Sequence, residues 1–247
     1  MRIAFLSDMH GNAAAFDAVL TDLEQHAHDQ MVVAGDIALF GPRPRECVER
    51  VRALSCPVIR GNTDVFVASN DERYRSHALI AWTREQMGEA NTDWMRELPF
   101  DHRIRPPGQG DSAELLIVHA TPTDVEAILI TQPNEISGHT VTPEDEARGM
   151  LGEARASLIV YGHIHYFSEG VIGTQRVASI GAIGFPFDGD PTAAYAILEW
   201  DGASWNVEPH RVPYDHKAVA AEIVAQDTFL AAPRAERILL SRPVPFE

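Results

Sequence analysis

RIAFLSDMHGNAAAFDAVLTDLEQHAHDQMVVAGD, residues 2–36, reads as strand, loop, helix and strand. Arg2 to Ser7 is a short apolar run that stops at a polar cluster. Asn12 opens an Ala/Leu-periodic stretch reaching about Gln25, and Met31 to Ala34 (MVVA) runs into Gly35-Asp36. The pattern continues outward. A turn, GPRP (Gly41 to Pro44), precedes a helical stretch with apolar Val48, Val51 and Leu54, and Pro57 to Arg60 reads as a third strand. Strands that are apolar throughout belong to a parallel sheet covered on both faces, since half-solvated strands would alternate. The first quarter of the chain is therefore expected to be βαβαβ.

Residues 76–98 are predicted helical, with Ala78, Leu79, Ala81, Trp82 and Met87, then Trp94, Met95 and Leu98, supplying apolar faces that Pro99 ends. Glu114 to Val118 is a further strand. Thr121 to Thr142 has no period and is read as a long connection with at most a short helix, of the kind that shapes specificity beside a site. Five short strands follow: Leu158 to Tyr161, Tyr166 to Ile172, Arg176 to Ser179, Ala193 to Trp200 and Ser204 to Val212, with a hairpin signal at Asp201-Gly202. They predict a mixed or antiparallel second sheet. Amphipathic helices from about Asp215 to Ala225 and Phe229 to Leu240 close the chain, and there is no repeat, low-complexity tract or linker.

A chain of 247 residues, 45% of them hydrophobic, has the apolar content for one substantial core, so a single domain over 1–247 is expected. Twenty Lys and Arg against 36 Asp and Glu give a net charge of −16, a surface field that speaks against bulk nucleic-acid binding. A nuclease is not excluded on that ground, because bound metal ions can be the largest local charges in a site. Cys47 and Cys56 lack the paired C-x-x-C spacing of zinc or redox motifs. Neither a leader-like start nor a membrane-length apolar run is present, so a cytoplasmic protein without a membrane partner is expected, its oligomeric state open.

Residues of the kind that bind metals recur where the predicted strands end. Asp8 and His10 follow the first, Asp36 the second, Asn62 the third, His119 follows Val118, and His163 with His165 follow Tyr161. Ligand sites in open α/β sheets form beyond the carboxyl ends of strands, so five strand ends point at one place. A lone His or D-x-H there is more often structural. Their joint occurrence at the same end is what carries weight.

In order, these residues read Asp8-Met9-His10, Gly35-Asp36, Gly61-Asn62-Thr63-Asp64, His119 and Gly162-His163-Ile164-His165. The set resembles the motifs of the calcineurin-like metallophosphoesterases. GPRP, Ser179 to Pro191 (SIGAIGFPFDGDP) and the closing RILL helix are similar to segments of the bacterial and archaeal single-domain branch. The resemblance implies an α/β (α+β) fold, a four-layer α-β-β-α sandwich of two mixed sheets flanked by helices. It also implies two divalent ions and a phosphate-ester substrate. Carried over motif by motif, Asp8, His10, Asp36 and His165 would hold one ion and Asp36, Asn62, His119 and His163 the other. Asp36 would be the bridge, which suits a carboxylate because its two oxygens can serve ions about 3.5–4 Å apart.

Residues two apart on an extended segment share a face, so His163 and His165 are expected to enter the site together. The centre would keep about one net positive charge after Asp8, Asp36 and a hydroxide are counted. The expected chemistry is attack on phosphorus by a hydroxide bridging the ions, with Asp36, Asn62, His10 and Arg60 as catalytic residues, Arg60 gripping phosphate. Many relatives carry His where this chain has Thr63, and that His protonates the leaving oxygen. A hydroxyl is a poor acid near neutrality, so either activity is modest and favours good leaving groups or another residue such as His77 or His139 substitutes, with Asp64 as a group that orients a ligand or Thr63. The nitrogen and oxygen donor set accepts Mn, Fe, Zn, Ni, Co or Mg, with Mn favoured by resemblance. The four tryptophans and Phe185-Pro186-Phe187 read as packing, since no basic residues interleave with them. Phosphodiesters and phosphomonoesters are both open as substrates. The alternatives are a phosphoprotein (Ser/Thr) phosphatase with the same chemistry and a non-catalytic metal-binding scaffold.

Overall fold

The computed structural model describes residues 1–245. β1 (Arg2–Leu6) leads to α1 (Ala13–Leu23), whose N-cap Asn12 accepts from the Ala15 N–H at 3.1 Å. β2 (Gln30–Val33) and α2 (Pro44–Ala53) follow, Pro44 standing in the first turn, where its missing N–H leaves no bond unmade. Four helices come next: α3 (Asn62–Ala68), α4 (Glu72–Arg75), α5 (Ala78–Met87) and α6 (Glu89–Arg96). Beyond them lie β3 (Asp101–Ile104), β4 (Leu115–Val118), α7 (Glu144–Leu151), β5 (Leu158–Tyr161), β6 (Phe167–Ile172), β7 (Gln175–Ile180), β8 (Ala193–Trp200), β9 (Trp205–Val212), α8 (His216–Ala225) and α9 (Ala231–Leu240).

The strands form a four-stranded sheet, β2-β1-β8-β9, and a five-stranded sheet, β3-β4-β5-β7-β6. Both are mixed: β1 runs parallel to β2 but antiparallel to β8, and β5 runs parallel to β4 and β7 while β3 and β6 run antiparallel to their neighbours. Side chains alternate across each strand, and in the interior strands β1, β4, β5 and β8 both faces are buried over most of their length. Ile3 and Phe5 of β1 meet Leu115 and Ile117 of β4 and Leu158 and Val160 of β5 in the layer between the sheets. Ala4 and Leu6 face outward onto Phe16, Val19, Val48 and Leu79, while Leu116, Val118, Ile159 and Tyr161 face Leu129, Ala147 and Leu151 on the opposite side. That is the expected sandwich. Full burial of each such aliphatic or Phe side chain is worth roughly 1.5–3 kcal/mol, which explains why these interior strands carry no polar alternation, whereas the edge strands β3, β6 and β9 do carry polar residues.

Three local expectations are corrected. Pro57 to Arg60 is not a full strand but a single bridge, Val33 to Val58; Pro57 has no N–H to give, and the Arg60 N–H leaves to Pro99 O at 2.9 Å. The strands after residue 158 do not make one sheet. β8 and β9 cross back to β1, and residues 193–198 of β8 are buried throughout, as an interior strand must be. The start of the chain is consequently not a self-contained βαβαβ sheet. Among the described residues no helix is long and apolar enough to cross a membrane.

Candidate metal centre

The loops leaving the strand ends are laced together by backbone hydrogen bonds. Asp8 N–H donates to Gly35 O (3.0 Å), His10 N–H to Asp36 O (2.8 Å) and Gly11 N–H to Ile37 O (2.8 Å), so the loops after β1 and β2 run side by side past their ladder. Gly162 N–H donates to His119 O (2.9 Å), tying the loop after β5 to that after β4. A Cβ on Gly61 would overlap Asp36 Oδ1, and one on Gly162 would overlap Asp8 Oδ2, so neither position accepts a side chain.

Asp8, His10, Asp36, His163 and His165 all lie in the left-handed region, with φ of +57°, +50°, +56°, +63° and +64°. Each such non-glycine residue costs on the order of 1–3 kcal/mol and persists only where its surroundings over-determine it. Met9 and Ile164, between the pairs, are buried anchors. The segment from His163 to His165 is thus a bent, left-handed stretch rather than the extended one expected, and it sends the two imidazoles to different partners, His163 beside His119 and His165 beside His10.

Side chains of Asp8, His10, Asp36 and His165 are buried, and one ligand atom from each lies within 4.8 Å of all the others. His10 Nε2 is 3.1 Å from His165 Nε2 and 3.5 Å from Asp36 Oδ2, and His165 Nε2 is 3.2 Å from Asp8 Oδ1. On the other side of Asp36, Oδ1 lies 3.5 Å from His119 Nε2, which is 3.0 Å from Asn62 Oδ1. The two oxygens of one carboxylate therefore face two groups of donors. His163 completes the second group with its ring centroid 5.1 Å from that of His119.

What fixes the imidazoles is equally specific. Nδ1 of His10 lies 3.1 Å from Leu39 O, Nδ1 of His119 2.8 Å from Ala34 O and Nδ1 of His165 2.6 Å from Phe185 O. In a neutral imidazole the ring nitrogen beside a carbonyl carries the proton, so in that state each Nε2 presents a lone pair to the centre. His163 is held the other way round: its Nε2 donates to Glu126 O at 3.1 Å, leaving Nδ1 free. Asp64 accepts from the N–H groups of Asp36 (2.7 Å), Ile37 (2.9 Å) and Gly61 (2.9 Å), so it clamps the backbone under Asp36 rather than touching the centre. Thr63, the residue in place of His, is buried and gives its backbone N–H to Asp36 Oδ1 at 2.9 Å.

Burial disfavours charge throughout this group. It pushes Asp36 up to about 8, with the Asp8 charge adding to it, and Asp64 up to about 7, with Asp36 adding, against three N–H donors that favour its charged form. Burial acts on Asp8 too, but the neighbouring His165, helped by His119 and His10, outweighs it and holds that carboxyl below its ordinary range. His10 is driven well below its ordinary value and His163 to about 3, by burial first and neighbouring imidazoles second. Neutral imidazoles and buried carboxylates short of positive charge are the donor set that divalent cations fill. Asp8 Oδ1, fully buried and without a well-formed hydrogen bond, is such an orphan. The residues present fit a metal pair.

Seven expected ligands, Asp8, His10, Asp36, Asn62, His119, His163 and His165, are brought together. Arg60 is not. Its guanidinium stacks on Phe100, 5.6 Å from the ring, and lines a cavity with Val65, Ala68, Ser69, Met95 and Arg96 instead of the ligands. His77 lies outside the group, in the wall of a 690 Å³ cavity lined by Phe66, Tyr74, Leu79 and Phe229. Phe40, with its ring 5.4 Å from that of His10, separates that cavity from the centre. His139 comes nearer. It is bridged to Asn134, whose side chain donates to Phe187 O (3.3 Å), and Phe187 stacks on His165 at 4.4 Å. Phe40, Phe187 and the Glu126 carbonyl are elements of the site that motif spacing gave no sign of.

Comparison with known proteins bears on the family and the fold. The sequence model of the calcineurin-like phosphoesterase superfamily domain matches residues 1–203. A crystal structure of a metallophosphoesterase from Sphaerobacter thermophilus is 27% identical, with a TM-score of 0.75 over 98% of this chain and 100% of that one. A protein of Methanocaldococcus jannaschii, itself uncharacterized, is 27% identical over 237 residues, 90% of this chain and 91% of its own. A Pyrococcus horikoshii structure at 21% identity shares the fold, with a TM-score of 0.77 over 98% of this chain and 97% of that one.

Proposed function

The chain belongs to the calcineurin-like phosphoesterase superfamily, and on that premise we propose that it hydrolyses phosphate monoesters or diesters at a centre of two divalent ions, manganese first among them. Asp8, His10, Asp36 and His165 hold one ion; Asp36, Asn62, His119 and His163 hold the other. The observation that carries this reading is the pair His10 Nε2 and His165 Nε2. They stand 3.1 Å apart while both Nδ1 atoms are committed to backbone carbonyls. Two lone pairs turned on each other repel, and a shared proton or a metal ion between them relieves that repulsion.

When bound, such a pair of ions generates a nucleophile from water near neutral pH and neutralises charge on the phosphoryl oxygens. The chain's own residues supply position. Thr63 N–H and Asp64 fix one oxygen and the backbone of Asp36, so the carboxylate presents a different oxygen to each donor group. Carbonyls of Leu39, Ala34 and Phe185 keep three imidazoles in the ligating tautomer. Phe40 and Phe185 pack on His10, with centroids at 5.4 and 5.7 Å, and shield that side from water.

The test is Mn(II)-loaded protein against p-nitrophenyl phosphate and bis(p-nitrophenyl) phosphate. Turnover of at least one ester, abolished by chelation and restored by Mn(II), is expected, and the ratio assigns monoester or diester preference. No turnover of either by fully loaded protein would leave a non-catalytic scaffold as the surviving reading.

A further inference from the structure

A second convergence of metal-type donors lies on the flank of the four-stranded sheet, away from the strand-end loops. Asp22 stands in the last turn of α1, His26 four residues later, and His210 on β9. One ligand atom from each lies within 4.8 Å of the other two. Asp22 Oδ2 to His26 Nε2 is already 3.5 Å, and donors about 2.0–2.1 Å from a zinc ion stand about 3.3 Å apart in a tetrahedron. Small rotamer adjustments would close the remainder.

An exposed Asp–His pair would carry nothing by itself, since such pairs are worth little. This one differs in three respects. His210 is stacked flat on its cross-strand neighbour Tyr195, ring centroids 4.7 Å apart and 13° from parallel, so it is pre-oriented. Tyr195 Oη donates to Asp22 Oδ2 at 2.6 Å, the arrangement that orients a ligating carboxylate. His210 Nε2 is buried without a hydrogen-bond partner, although buried polar groups as a rule have one, and the Glu208 carboxylate lies 3.6 Å from it as a fourth donor. The C-terminal end of α1 adds its negative dipole to the same spot.

We infer that Asp22, His26 and His210, with Glu208 in reach, form a separate divalent-cation site of the two-histidine, one-carboxylate type that suits Zn(II) or Ni(II). It would staple the end of α1 to β9. The donor chemistry, two imidazoles and carboxylate without thiolate, selects late first-row ions over Mg or Ca.

The experiment counts zinc. Full-length protein is stripped, reloaded with Zn(II), passed through gel filtration and assayed for zinc per chain, for wild type and for His26→Gln, a partly exposed position (side chain 32% exposed) whose change leaves the stack of His210 on Tyr195 in place. Wild type is expected to carry one more ion per chain than His26→Gln, and the Zn(II)-induced rise in melting temperature to shrink in the variant. The readout is a difference of one, so it is independent of how many ions the strand-end centre holds or whether that centre is catalytic. Equal zinc content in wild type and variant, with both folded by circular dichroism, would overturn the site. A His210→Gln variant that loses the same single ion would confirm the β9 ligand, whereas one that retains it would remove His210 from the set.

Discussion

From Arg2 to Leu6 the chain does what its residues prefer, with apolar side chains buried on both faces and backbone groups paired in a sheet. Two residues later the preferences are reversed. Asp8 and His10 are buried polar groups in left-handed backbone, and Asp36 repeats the pattern just beyond β2. The strand bodies store stability and the loops at their ends consume it, in backbone strain and buried carboxylates, to hold donors aimed at one point. Function lives in the part of the fold that folding alone would not choose.

Removing a loop carboxylate should divide the two regions most sharply. Asp36→Asn is expected to lower Mn-dependent activity by at least about 10³-fold, roughly 4 kcal/mol in transition-state stabilisation, because both donor groups lose their common member. Stripped of metal, the same variant should be more stable than wild type. Burial raises Asp36 to about 8 in the folded chain from an ordinary 3.8. Its favourable contribution is therefore complete below about pH 4 and is lost as pH rises through 8. Thermal melts of metal-free protein should show the variant's advantage widest near pH 9 and closing toward pH 4. A variant less stable than wild type at pH 9 would contradict the division.

The matching change in a strand body is Ile3→Val, fully buried between the sheets. It should cost about 0.5–1.5 kcal/mol in denaturant titration and leave bound manganese and specific activity unchanged. Loss of metal from this variant would mean that sheet packing and loop geometry are not separable.

Much of this division was readable from residue order. Apolar runs ending in Asp, His or Asn pointed to all seven of the candidate donors that the structure brings together, because a strand's end is marked in the sequence by the switch from apolar to polar residues. The pairing of β8 with β1 was not readable, since partners 191 to 197 residues apart are chosen by sheet packing rather than by local pattern. α3 was hidden inside the Gly61-Asn62 motif, too short to show a periodic face, whereas the acidic first turn of α7, Glu144 to Glu146, and the Gly152 that ends it were signals available to be read. Left-handed backbone at His163 and His165 leaves no trace in composition. The direction of Arg60 depends on Phe100, a contact made only after α6 turns the chain back, so a neighbouring motif could not reveal it.

The most direct measurement is a crystal soaked in Mn(II) and recorded at the manganese absorption edge. Two anomalous peaks on opposite sides of the Asp36 carboxylate are expected, one among Asp8, His10 and His165, the other among Asn62, His119 and His163. A centre with no peak, or one whose peak does not touch Asp36, would contradict the bridge on which the proposed chemistry rests.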